Sequence, residues 1–244
     1  MYNHLYGKKE KMRKIAIMQP YFVPYIGYWQ LLNAVDTYVV FDDVNYIKRG
    51  WINRNRILIN KEPHYINLEL SGVSQNKKIN EIELSADIEL RKKTLKTIEY
   101  NYKRAPFYEE TMNLMEKILL NKEKNLALFL FDQIRIVANY FDMNTEIIMS
   151  SSLEKNNELK GQDKIIDICR KLNADVYYNA IGGMNLYSHE KFESEKIGLH
   201  FLESQPIEYK QFGNVFYGSL SIIDVMMFNS RDQINTMLNK FSLR

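Results

Sequence analysis

Residues 14–44 read as strand, loop, helix, strand, and that order limits the possible folds more than any other feature of the chain. KIAIMQP at 14–20 is a short apolar run closed by proline, YIGYWQLLNAV at 25–35 has apolar side chains at helical spacing, and TYVVFDDV at 37–44 is rich in β-branched and aromatic residues. Two strands joined through a helix lie parallel, and the crossover between them is right-handed in nearly all proteins. The loop after the first strand then sits at the carboxyl edge of the sheet, where open α/β sheets bind their ligands.

The remaining chain extends this pattern. ILINKEPHYINLEL at 57–70 holds two apolar runs around Lys61-Glu62-Pro63, which predicts an antiparallel excursion near 57–84. Segments 87–103, 107–121 and 124–141 repeat apolar residues every three or four positions, so a helical middle section is expected over 87–141. TEIIMSS (145–151), DKIIDICRKLN (163–173) and DVYYNAIGG (175–183) then read as strand, helix and strand, a second βαβ unit. A short helix at 189–196, a strand at 199–204 and a helical end over 221–241 complete the expectation. The fold class is α/β: a Rossmann-like, open, mainly parallel sheet with flanking helices. Residues 14–244 are expected to form one domain behind a disordered leader at 1–13, with Met12 an alternative start.

Composition excludes several classes. A chain of 244 residues with 45% hydrophobic side chains can bury a large core, which sets disorder aside. The single cysteine, Cys169, rules out an intramolecular disulfide framework, and the four histidines lie far apart, so no zinc-type spacing exists and no metal ligand set is assigned. With 33 Lys+Arg against 30 Asp+Glu the net charge is only +3, which argues against nucleic acid as a partner while leaving room for a local anion site. No window supplies the ~20 apolar residues of a membrane span, and the amino terminus lacks a signal-peptide core. A cytoplasmic location is expected.

Four stretches carry candidate chemistry. In QPYFVPYIGYW (19–29) two prolines four apart stiffen the backbone, Gly27 permits close approach, and the helix start offers N–H groups to an anion, so Gln19, Tyr21, Tyr25 and Tyr28 are candidate contacts. Tyr25-Ile26-Gly27-Tyr28 is similar in position to the His-x-Gly-His signature of nucleotidylyltransferases, but tyrosines cannot stabilise a leaving phosphate as imidazolium does. Packing is the competing role for these rings. In FDDVNYIKRGWINRNRI (41–57), Lys48, Arg49, Arg54 and Arg56 are suited to phosphate or carboxylate, Asn45 and Asn53 to amide or sugar hydroxyl groups, and Trp51 to stacking. Asp42 and Asp43 are open to three roles: holding Mg²⁺, acting as a general base, or balancing the arginines. In NAIGGMNLYSHE (179–190), Gly182-Gly183 makes a turn or an anion nest, with Tyr187 and His189 as nearby donors. In 208–229, Ser219 or Ser221 and Asp224 read as helix capping. His64 and Cys169, taken singly, read as structural.

MQPYFVPYIGYWQLLNAVD at 18–36, YVVFDDVNYIKRGWINRNRI at 38–57, DVYYNAIGG at 175–183 and LSIIDVMMFN at 220–229 together resemble the WbqC-like protein family, found among genes for bacterial O-antigen and other surface polysaccharides. The resemblance runs over nearly the whole chain after Met12. It implies tailoring of a nucleotide-linked sugar, with acyl or aminoacyl transfer to an amino sugar as the expected step and acyl-CoA or another acyl donor as the co-substrate. Under that expectation Arg49, Arg54 and Arg56 hold phosphate, Trp51 stacks, and Asp43 or His64 accepts the amine proton. Two alternatives stand beside it: a Mg²⁺-dependent nucleotidylyltransferase with Asp42 on the metal, and a noncatalytic ligand-binding or partner protein of a polysaccharide synthase.

Overall fold

The computed structural model describes residues 11–244, so most of the expected leader lies outside the described residues. Within it, the Arg13 backbone N–H donates to Asp175 at 2.7 Å, and Lys11 pairs with Asp36. The chain is thus already tied to the sheet just ahead of Lys14.

Six strands form the principal sheet. Strand β1 (Lys14–Met18) leads through helix α1 (Ile26–Asn33) into β2 (Thr37–Val40), its parallel neighbour, as the sequence predicts. On the far side of β2 lies β7 (Glu146–Met149), also parallel. On the other side of β1 come β8 (Val176–Ala180) and β9 (Gly198–Ser204), both parallel. β10 (Phe241–Leu243) closes the edge as an antiparallel strand, giving the order β10-β9-β8-β1-β2-β7 among the described residues. The sequence pattern ran the helical end up to Phe241, the first residue of this strand, which is too short to show a period.

Both faces of the sheet are covered, which is why its strands read as apolar runs and not as alternations. Ala16, Tyr38, Val40 and Tyr178 face the larger core, and Ile15, Ile17, Val39 and Tyr177 face the smaller one. Helix α5 (Gly161–Lys171) lines the smaller core with Ile165, Ile168 and Cys169, and α6 (His189–Ser194) adds Phe192. The larger core takes α1 and the helical middle section α2 (Ile88–Tyr102), α3 (Tyr108–Leu119) and α4 (Leu126–Tyr140), then α7 (Ile222–Phe228) and α8 (Arg231–Met237). Asp87, Asn125, Ser221 and Ser230 cap α2, α4, α7 and α8 by accepting first-turn N–H groups.

The antiparallel excursion consists of a hairpin, β3 (Arg54–Ile59) with β4 (Glu62–Asn67), and a small pair, β5 (Leu70–Ser71) with β6 (Glu83–Leu84). The hairpin turns on Asn60 and Lys61, whose φ of 53° and 69° are the left-handed values that a two-residue turn needs. Among the described residues, no helix is long and apolar enough to cross a membrane.

Candidate functional site

The connections from β1 and β8 leave in opposite directions along the sheet, which opens a crevice at their carboxyl ends. A cleft of about 730 Å³ occupies it. One wall is Met18, the last residue of β1, with Gln19, Pro20 and Tyr21 just after it; a second is Phe41, Ile47, Gly50, Trp51 and Ile52. The amino end of α5 supplies Gly161, Gln162 and Ile165, and the exit from β8 supplies Asn179, Ala180, Gly182, Gly183, Leu186 and Tyr187. The proline-framed loop and the stretch after β2 therefore converge on one site, and the volume suits a small-molecule ligand.

The loop after β1 is held from several directions. Val23, fully buried, adopts φ 39°, a strained value for a β-branched residue. Its N–H donates to Gln133 Oε1 at 3.0 Å, and its carbonyl accepts from Asn55 Nδ2 at 2.6 Å and Ser221 Oγ at 2.8 Å. Asn55 Nδ2 also reaches the Phe22 carbonyl at 3.0 Å, while the Phe22 N–H donates to the Ile52 carbonyl. The cleft's first two walls are thus fastened to each other through β3.

The opposite wall is a polar seam under the glycine turn. Asn179 Oδ1 accepts from the Ala180 N–H at 2.6 Å and its Nδ2 donates to the Tyr177 hydroxyl at 3.1 Å, which lies 3.3 Å from the Tyr187 hydroxyl. A Cβ at Gly183 would meet Asn179 Nδ2 at 3.1 Å, whereas one at Gly182 would meet nothing within 4 Å, so Gly183 alone is required for close approach. Gln162 Oε1 accepts from the Ser188 N–H, joining α5 to this wall. Lys160, ahead of α5, makes no side-chain cap, so the first-turn N–H groups of a three-turn helix end beside the cleft with their partial positive charge.

Among the described residues, no lysine, arginine, histidine or carboxylate lines the cleft, and the titratable groups that do are Tyr21 and Tyr187. Burial raises both hydroxyls above their ordinary range, with Tyr25 and Tyr28 adding to the effect at Tyr21, so both act as neutral donors. Of the other candidates from the sequence, Gln19, Trp51, Gly182 and Gly183 line the cleft and the rest stand elsewhere. Lys48 and Arg49 are exposed in the loop between the lining residues Ile47 and Gly50, at the mouth of the cleft. Arg54 donates to the Gly50 carbonyl at 2.9 Å and to that of Arg49, and stacks on Tyr65, so it holds this loop in shape. Arg56 lies over the Trp51 ring. Among the described residues none of these four cations pairs with a carboxylate.

The two aspartates face inward. Asp42, fully buried, accepts from the Ser151 N–H at 2.9 Å and from Asn80 Nδ2 at 3.1 Å. Asp43 Oδ2 lies 3.0 Å from both Lys155 Nζ and Lys164 Nζ, and all three side chains are buried. Burial alone would raise the Asp43 pKa, but the ammonium groups of Lys155 and Lys164 beside it outweigh that and hold the carboxyl below its ordinary value. Charge balance is therefore the geometry seen for Asp43, toward lysines more than a hundred residues away and not toward the nearby arginines.

His64 is exposed on β4, opposite Ile57, outside the cleft. Tyr28 is buried in a ring cluster with Tyr21, Trp29 and Tyr38, and Tyr25 lies with its ring against Gly27. Asn53 joins Tyr46 to the Leu68 carbonyl, Asn45 is exposed beside Lys78, and His189 begins α6 against Phe201. Gln162, Asn179, Ile165 and Phe41 complete the site without having been singled out. The visible signals were an asparagine inside an otherwise apolar strand and a glutamine at the start of a helix.

An apolar, aromatic cleft with amide and N–H donors on two sides can hold an acyl chain or stack a ring while presenting a carbonyl oxygen to donors. Among the described residues, no group of three His, Cys, Asp or Glu side chains is placed to hold a metal ion. Comparison with known proteins gives a match between residues 19–236 and the model of the WbqC-like protein family. The "Uncharacterized protein Rv1507c" of Mycobacterium tuberculosis (strain ATCC 25618 / H37Rv) is 25% identical over 221 residues, 89% of this chain and 94% of that one. No solved structure matches the chain.

Proposed function

We propose, from the premise that the chain belongs to the WbqC-like protein family, that it transfers an acyl or aminoacyl group to the amine of a nucleotide-linked amino sugar in surface-polysaccharide synthesis. The observation that supports this most is the composition of the cleft: apolar and aromatic walls, free helix N–H groups on one side, and a glycine turn on the other. The acyl group of a thioester, acyl-CoA or another carrier, is suited to those walls, and Trp51 is suited to stacking. Lys48 and Arg49 at the mouth suit the phosphates of either substrate.

In the step itself the free amine attacks the thioester carbonyl, the tetrahedral oxyanion is stabilised by N–H donors of α5 or of the 181–183 turn, and collapse forms the amide and expels the thiolate. Asp43 is an unsuitable base, being buried between two ammonium groups, and His64 lies outside the cleft. The amine therefore enters as its free base and gives its proton to water, and the rate should rise with pH up to the pKa of the amino sugar.

The test is incubation with acyl-CoA and a uridine diphosphate amino sugar while free thiol is followed. Thiol release that requires both compounds and falls in Trp51→Ala supports the proposal. Absence of release, together with no thermal stabilisation by any donor or nucleotide sugar, rejects it. That no described carboxylate or imidazole stands on the cleft walls favours one second reading, a noncatalytic ligand-binding partner of a synthase, which would show stabilisation without thiol release. The nucleotidylyl alternative finds less support, because Asp42 already accepts two hydrogen bonds from the protein.

A further inference from the structure

A second hollow of about 390 Å³ lies where the β3–β4 turn, the carboxyl end of α2 and the segment around Phe212 meet, and it shares no lining residue with the cleft. We propose that it binds a phosphate or diphosphate group through Lys61, Lys103 and Arg104, with Tyr100 and Phe212 available to whatever organic part the phosphate carries. Among the residues lining it there is no carboxylate, and among the described residues none of the three cations belongs to an ion pair. Three like charges around one small volume repel each other unless an anion joins them. The carboxyl end of α2 contributes the equivalent of about half a negative charge, too little to balance three cations.

The walls are fixed before any ligand arrives. The Asn60 N–H donates to Asn101 Oδ1 at 2.9 Å, so the hairpin turn is tied to α2. One residue further, the Leu58 N–H donates to the Tyr102 hydroxyl, which in turn donates to the buried Asp224. Tyr100 is 71% exposed, an unusual position for so large a ring, and Lys103 Nζ sits 5.8 Å from its centre. A cationic hollow with an open aromatic face matches a phosphorylated ring compound or a phospholipid headgroup, which share the same anion.

The experiment uses the full chain at low ionic strength. Pyrophosphate binding is measured by titration calorimetry, and sedimentation is measured with vesicles of phosphatidylglycerol and phosphatidylcholine. The triple variant Lys61→Gln, Lys103→Gln, Arg104→Gln should weaken whichever of the two binds by about tenfold or more, the equivalent of roughly 1.4 kcal/mol. Trp51→Ala, at a residue that does not line this hollow, should leave it unchanged. Pyrophosphate binding lost in the triple variant assigns a soluble ligand, and vesicle binding alone lost in the same way assigns a headgroup. No binding of either probe, equal binding by the triple variant, or loss in Trp51→Ala instead overturns the proposal.

Discussion

Replacing Asp43 by asparagine removes the carboxylate that, among the described residues, neutralises two buried lysines. Each ammonium stands 3.0 Å from Oδ2, with side-chain exposures of 1% for Lys155 and 7% for Lys164. At an effective dielectric constant of ~20 each attraction is about 5–6 kcal/mol gross, most of it offset by the cost of taking the ions out of water. The asparagine variant keeps that cost and loses the attraction, so the expected destabilisation is ~3–5 kcal/mol, a large part of the ~5–15 kcal/mol that holds a typical domain. Urea unfolding followed by tryptophan fluorescence should show the midpoint falling by roughly 1–2 M. The depressed Asp43 pKa also fixes a sign. Between the folded and unfolded values the unfolded chain binds more protons, so this contribution is complete above about pH 4 and fades as pH falls further. Asp43→Asn should flatten that acid limb. An unchanged midpoint with abolished turnover would refute the structural role and return Asp43 to the chemistry.

Asn55→Ala strips the buried carbonyls of Phe22 and Val23 of a shared donor, and a loss of about 2–4 kcal/mol with weakened ligand binding is expected from paired denaturation and thermal-shift curves. Gly183→Ala should displace Asn179 and cost roughly 1 kcal/mol or more, while Gly182→Ala should be tolerated within about 0.5 kcal/mol; parallel melts of the two variants check this. A cleft ligand at 100 times its dissociation constant should stabilise the chain by ~2.7 kcal/mol, and Trp51→Ala should reduce that shift without lowering the melting point of the free protein. Cys169 is buried, and its thiol is pushed up to about 12, so a disulfide reagent at neutral pH should modify it only after denaturant is added.

Most elements were legible because local patterns encode them: apolar runs, helical periods, and turn residues at 182–183 and near 61–63, although the hairpin turns earlier, on Asn60 and Lys61, and Glu62 and Pro63 already belong to β4. The site was legible in part. Position after a strand drew attention to Gln19, Tyr21, Trp51 and the glycine pair, all of which line the cleft. Residue type does not decide the rest, because an asparagine between two arginines has the same side chain whether it is buried or faces a ligand. Asn55 is a staple between loops, and only its burial says so. Asp43 resisted reading for a different reason: its partners, Lys155 and Lys164, lie beyond the entire helical middle section, and no local pattern links them.

The sheet order carries a consequence for biosynthesis. β1 has β2 on one flank almost at once, but its other flank waits for β8, which is encoded about 160 residues later. At ~5–20 residues per second a ribosome leaves that flank open for roughly 10–30 s. During that interval a bare apolar edge can recruit other nascent chains, so successful maturation depends on shielding it until the last third of the polypeptide emerges.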